Sequence, residues 1–112
     1  MSEFIQDRLK RKYAYVVKGE FKPGCFGEAQ QLYEQAVSTY KEGFQGAFLL
    51  QKPDSDEGIA VILWDDIEDM AANQTKTNDA ILEKMTPLFA KSPETDFYEV
   101  CSEIQASENP SE

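Results

Sequence analysis

The stretch "IAVILW", Ile59 to Trp64, limits what this chain can fold into more than any other. It is apolar and largely β-branched, so it reads as a strand. Alternation puts Ile59, Val61 and Leu63 on one side and Ala60, Ile62 and Trp64 on the other. A strand that is oily on both sides must be covered on both sides. "FQGAFLLQK", Phe44 to Lys52, makes the same demand, because Ala47, Phe48, Leu49 and Leu50 follow one another without a polar interruption.

The rest of the chain supplies one of the two covering layers. "YAYVVKGEF", Tyr13 to Phe21, predicts a strand that "KPG", Lys22 to Gly24, brings to a stop. Ala29, Leu32, Tyr33, Ala36, Val37 and Tyr40 then recur at helical spacing and form one apolar face. Lys41 suits the last turn of that helix and Gly43 its C′ position. "PDSDEG", Pro53 to Gly58, is a turn by composition. After Trp64, Asp65 or Asp66 caps a helix with Glu68 and Asp69 in its first turn and Ile67, Met70 and Ala71 as its buried stripe. "NQTKTND", Asn73 to Asp79, interrupts it. A further helix carries Ile81, Leu82, Met85, Leu88 and Phe89, with Pro87 predicting a kink or an early end. "KSPETD", Lys91 to Asp96, reads as a loop and "FYEVCSEI", Phe97 to Ile104, as the last strand.

The order β-α-β-β-α-β is the ferredoxin-like, α+β arrangement: a four-stranded antiparallel sheet with both helices on one face. Two helices leave the other face bare, although the strands are apolar there too. A second copy of the chain is the natural cover, so a homodimer is expected. Residues 13–104 make up the domain. Residues 1–12 are expected to form an arm or short helix, and residues 105–112 a disordered polar tail. A length of 112 residues suits one such domain.

Charge and composition remove several classes of function. A net charge of -10 opposes binding to nucleic acid or to an anionic membrane. No apolar run approaches the roughly 20 residues that cross a bilayer. The N-terminus lacks the apolar core of a signal peptide. Cys25 and Cys101 are therefore read as reduced thiols, and a cytoplasmic location is expected. Histidine is absent, which removes the commonest general base, the usual haem-iron ligand and every Ser-His or Cys-His pairing. Asp54, Asp56 and Glu57 lack the glycine and ligand spacing of an EF-hand and read as a solvated hairpin tip. Neither a metal nor another cofactor is expected.

The element order, "EGFQGAFLLQ" entering the second strand, "VILWDDIEDM" leaving the third, the broken second helix and the closing "FYEVCSEI" resemble the antibiotic biosynthesis monooxygenase-like proteins. The resemblance spans about Tyr13 to Ile104, with the Gly43-Phe44-x-Gly46 pattern and Trp64 before an acidic helix start as its strongest marks. It implies a dimeric α/β barrel, in which two ferredoxin-like sheets pack together. The family includes cofactor-free oxygenases of polycyclic aromatics, haem-degrading enzymes and members with no assigned reaction, so fold and activity are separate questions. Of the haem-degrading pattern only the tryptophan has a counterpart, Trp64. The first strand has no asparagine and the chain has no histidine, so haem degradation is set aside.

Candidate site residues follow from the same pattern. Trp64 reads either as a pocket wall donating its indole N–H or as a core ring closing the barrel end. Tyr13 and Tyr15 share a strand face, as phenol-binding groups or as packing. Asn73 either bonds a ligand or ends its helix. Cys25, near a helix start, is either a reactive thiol or a small buried side chain, and Cys101 is expected mid-strand. A ligand pocket is expected near Trp64, Asn73, Phe48, Phe89 and Tyr15, with no catalytic residue assigned. Two functions stand side by side. One is a cofactor-independent monooxygenase of an aromatic or polycyclic substrate. The other is a non-enzymatic protein of the same fold that binds a small apolar ligand or serves as an assembly module.

Overall fold

A computed structural model describes residues 12–106. The expected N-terminal arm, apart from Lys12, and residues 107–112 of the expected tail lie outside the described residues. The chain forms β1 (Tyr13–Glu20), α1 (Phe26–Val37), β2 (Phe44–Gln51), β3 (Glu57–Trp64), α2 (Ile67–Ala72), α3 (Lys76–Met85), a 3-10 turn (Thr86–Leu88) and β4 (Glu94–Glu99). The sheet runs β2-β3-β1-β4 and every neighbouring pair is antiparallel. This is the α+β, ferredoxin-like architecture that the strand and helix patterns predict.

Register decides which side chains share a face. Tyr15, Ile62, Ala47 and Phe97 stand in line across the four strands, as do Val17, Ala60, Leu49 and Thr95. These rows lie under the helices. The opposite rows hold Val16, Val61, Phe48 and Asp96, and Lys18, Ile59, Leu50 and Glu94. In the single chain these side chains lie on the uncovered face, where Phe48 is 59% and Leu50 50% exposed.

A β-bulge sets the phase of β2. Phe44 pairs with Trp64, but the next partner of the ladder, Leu63, meets Gly46, so Gln45 is skipped. Gly46 takes φ +135°, a backbone region open to glycine. Plain alternation from Phe44 would carry Phe48 to the helix side. The skipped residue turns it outward and brings Ala47 and Leu49 in.

The core gathers at the end of the sheet where β1 finishes. Phe21, Phe26 and Ala29 are buried, with Leu49, Met85, Leu88 and Phe89 packed against them. Phe21 stacks on Phe89 at 4.5 Å and meets Phe26 edge-on at 5.6 Å. Lys22 N–H donates to Leu88 O and Ala90 N–H to Glu20 O, tying the segment after α3 to the end of β1. Pro87 sits in the 3-10 turn, where the helix has ended, as its ring demands.

Several boundaries differ from the sequence reading. Helix α1 stops at Val37, so Gly43 is not its C′ residue. Gly43 instead takes φ +80° in the loop before β2, where its backbone passes against the Asp69 carboxylate and Gly43 O accepts from Asp65 N–H. The break between α2 and α3 is only Asn73 to Thr75, because the Thr75 hydroxyl accepts from Asn78 N–H and caps α3 at once. The last strand begins at Glu94 and ends at Glu99 instead of running from Phe97 to Ile104. Among the described residues it pairs with β1, which begins at Tyr13 opposite Glu99. Beyond it Val100 N–H donates to Lys12 O, and Lys12 forms an ion pair with Glu103 at 3.0 Å. Cys101 lies exposed in this segment, not within a strand.

Candidate ligand site

Between the helices and the sheet lies a cavity of about 260 Å³. Its floor is the helix-side rows of the sheet, with Tyr15, Val17, Leu49, Ala60 and Ile62. Its roof is Ala29, Tyr33, Ala36 and Val37 from α1 and Leu82 and Met85 from α3, and Phe21 and Phe89 close one end. Among the described residues no Asp, Glu, Lys or Arg lines it, so hydroxyls of Tyr15, Tyr33, Tyr40, Thr86 and Thr95 are its polar side-chain groups. A second depression, about 550 Å³, lies on the uncovered sheet face between Lys18, Lys52, Lys91 and Glu20, Glu57, Glu94. It is a groove of mixed charge, whereas the aromatic cavity, apolar in its lining, has the character of a small-molecule site.

Two of the five residues expected at a pocket, Tyr15 and Phe89, line this cavity. Trp64 lies beyond the lining, fully buried at 0% exposure, with Tyr40 edge-on at 4.9 Å and Phe44 at 5.7 Å. Its indole N–H has no partner. The ring touches the site through Tyr40, which stands between. Asn73 is buried and its amide is occupied: Oδ1 accepts from Lys41 N–H at 2.8 Å, and Nδ2 donates to Glu42 O at 2.9 Å and to Asp69 O at 2.8 Å. It closes α2 and clamps the loop before β2 to it. Phe48 points to the opposite face and is no wall of this cavity, for the bulge reason given above.

A buried amide behind the cavity, outside its lining, was not foreseen. Asn78 is also 0% exposed. Its Nδ2 donates to Ala36 O and to Thr39 Oγ1, both at 3.1 Å, which fastens α3 to the end of α1. Its Oδ1 is left without a partner, as is the Tyr33 hydroxyl. Burial raises the pKa of Tyr40 above 10.0, while a hydrogen bond from the Asn78 side chain works in the opposite direction and the nearby Tyr15 adds to the rise. Burial, and then Tyr40, raise Tyr33 as well. Tyr33 and Tyr40, both raised by burial, therefore stand together at one end of the cavity, with Tyr15 beside Tyr40. A signal for Asn78 was present: it falls at i, i+3, i+4, i+7 with Ile81, Leu82 and Met85, a polar residue inside an apolar stripe.

Cys25 is half-buried at the N-cap of α1 and packs against the phenylalanine cluster. Among the described residues no group of three or more Cys, Asp or Glu is placed to hold a metal ion. No helix among them is long and apolar enough to cross a membrane.

Fold and cavity together define an α+β protein with one sheet, one helical layer and an apolar cavity between them. Solved structures carry the same fold. SnoaB, a cofactor-independent oxygenase from Streptomyces nogalater, superposes in a substituted form with a TM-score of 0.74 at 14% identity, over 85% of this chain and 98% of that one. A conserved protein from Methanosarcina mazei Go1 matches with a TM-score of 0.72 at 18% identity, over 83% and 96%. A Chloroflexus aurantiacus J-10-fl protein named for antibiotic biosynthesis monooxygenases matches with a TM-score of 0.70 at 18% identity, over 86% and 97%. No family model matches the sequence, and no curated protein does. The chain thus has the fold of the antibiotic biosynthesis monooxygenase proteins, as its sequence resemblance implies.

Proposed function

We propose that this chain binds a small aromatic or polycyclic molecule between its helices and its sheet and acts on it as a cofactor-independent monooxygenase. The aromatic cavity walled by Tyr15, Tyr33, Tyr40, Phe21 and Phe89 carries the reading. The fold shared with a protein named as a cofactor-independent oxygenase supports it. Without a cofactor the substrate must supply every electron: a ring CH2 and O2 become a carbonyl and water. The protein's part is then to hold the substrate dry and oriented.

The uncharged lining favours a second reading, a non-enzymatic holder of the same ligand class, because among the described residues no carboxylate or amine lines the cavity to serve as a general base. We further propose that a second copy covers the open sheet face. That face exposes Phe48, Leu50 and Tyr98, and Tyr98 is 57% exposed. A sheet-to-sheet dimer of this kind buries about 2,000 Å² or more in total.

Oxygen uptake with a panel of ionisable polycyclic phenols, set against protein-free controls, tests the enzyme. Native mass spectrometry of freshly purified protein tests the holder. Uptake above the control supports oxygenation. A co-purifying aromatic with no uptake supports the holder, and neither uptake nor binding overturns both.

A further inference from the structure

We infer that the cavity is measured for two fused aromatic rings: it takes a bicyclic ligand whole and leaves a third ring in water. The inference deepens the ligand-binding reading of the cavity, rests on it, and holds whether or not oxygen is consumed.

Two observations carry it, the volume and the floor. The cavity measures about 260 Å³ and is lined chiefly by apolar and aromatic side chains. An apolar cavity of about 150 Å³ takes one benzene molecule, so by carbon count two fused rings need about 250 Å³ and three about 350 Å³. The volume matches the bicyclic ligand and falls short of the tricyclic one.

The floor sets the same limit. Three cross-strand rows of β1 and β3 line it: Tyr15–Ile62, Val17–Ala60 and Gly19–Gly58. Rows on one face of a strand recur at every second residue, so the outer two stand about 14 Å apart. Both outer rows are taken. Phe89 lies over Gly19 and Phe26 over Gly58. At the other end the Tyr15 side chain stands on its own row, and Tyr40 is backed by Trp64 at 4.9 Å, one row further on. Only the Val17–Ala60 row lies clear between them. There Ala60 in the floor and Ala29 and Ala36 in the roof are short enough to leave a gap. The cavity opens sideways, past the exposed Leu82, Thr86 and Thr95. A third ring therefore leaves by that mouth and meets water instead of protein.

The test is a ring series at neutral pH: phenol, 2-naphthol, 9-phenanthrol and 1-hydroxypyrene, each titrated by calorimetry. Affinity should rise about tenfold from phenol to 2-naphthol, the worth of the added apolar surface. It should level off or fall at 9-phenanthrol and 1-hydroxypyrene. Ala60→Leu puts further carbons into the middle of the floor. It should weaken 2-naphthol by about tenfold or more, and phenol by less. Its urea midpoint should stay the same or rise, because the added carbons fill space. Ala60→Val should give the same order with smaller losses, and it serves where the leucine variant does not fold.

An affinity that keeps climbing through 1-hydroxypyrene, and that Ala60→Leu still removes, overturns the two-ring limit and leaves the cavity reading standing. A lowered urea midpoint in both variants means that the floor has no room, and it too overturns the inference. Binding that neither variant changes places the ligands elsewhere. That result, or no binding by any of the four, removes the cavity reading and this inference with it.

Discussion

Gly19 and Gly58 face each other across the β1–β3 ladder, and each lies beneath a phenyl ring, Phe89 over Gly19 and Phe26 over Gly58. Two missing side chains in one row let two rings settle onto the sheet. That contact closes one end of the ligand cavity, since Phe89 is both the ring over Gly19 and a cavity wall.

The glycine pair therefore tests the packing of that end. A Cβ at Gly19 would stand 2.7 Å from Phe89 Cε1, and one at Gly58 would stand 2.8 Å from Phe26 Cε2 and 3.0 Å from Leu50 O. Gly19→Ala should lower stability in urea by about 1–3 kcal/mol, the usual cost of overpacking. Gly58→Ala should cost at least as much, because a backbone carbonyl yields less readily than a ring. Unchanged midpoints in both variants would mean that the rings do not rest on the sheet.

Asn73 should prove a structural clamp. Asn73→Ala leaves Lys41 N–H and Glu42 O short of a partner, while Asp69 O keeps the backbone N–H of residue 73, and the expected loss is about 1–3 kcal/mol in denaturant. Affinity for 2-naphthol should stay within about twofold, because Asn73 does not line the cavity. A large loss of affinity at unchanged stability would restore Asn73 to the ligand site.

Trp64 gives an optical readout of the core. At 0% exposure its emission should be blue-shifted in the native protein and move to the red on unfolding. Trp64→Phe should cost about 1–3 kcal/mol, since it opens space behind Tyr40 but also removes a buried N–H that has no partner. Red-shifted native emission would contradict the packing of this ring under Tyr40 and Phe44.

The buried phenols make a prediction about alkaline pH. Tyr33 and Tyr40 are both raised from 10.0, in each case chiefly by burial. The native state then keeps protons that the unfolded chain releases, so stability from this source is whole below about pH 10 and falls as pH climbs through the raised values. Ultraviolet titration should show part of the tyrosine absorbance appearing later in the native protein than in denaturant. Coincident curves would remove the basis for it.

The open sheet face predicts a dimer that one charge can split. Phe48→Glu places a carboxylate at the middle of the exposed apolar rows. Light scattering should give twice the chain mass for the native protein at micromolar concentration and a single chain for the variant. A well-folded native monomer under those conditions would sink the covered-face proposal.

How much of this was legible in the sequence depends on the range of the interaction. Ile59 to Trp64 announces a doubly covered strand, and Ala29, Leu32 and Ala36 announce a helix, because a period of two or of 3.6 is a property of neighbouring residues. Those local periods, taken in order, were enough to determine the ferredoxin-like fold. The phase of β2 was not legible, because one skipped residue at Gln45 reverses which face Phe48 sees, and that choice is made only when β3 pairs with it. Nor was the buried amide behind the cavity. Asn78 lies far along the chain from Ala36 and Thr39, and its worth depends on the end of α1 arriving where its amide can reach. The sequence by itself determined which elements form and in what order. Tertiary structure alone decided which oxygen is left unpaired, because hydrogen bonds between distant segments exist only after the layers have closed.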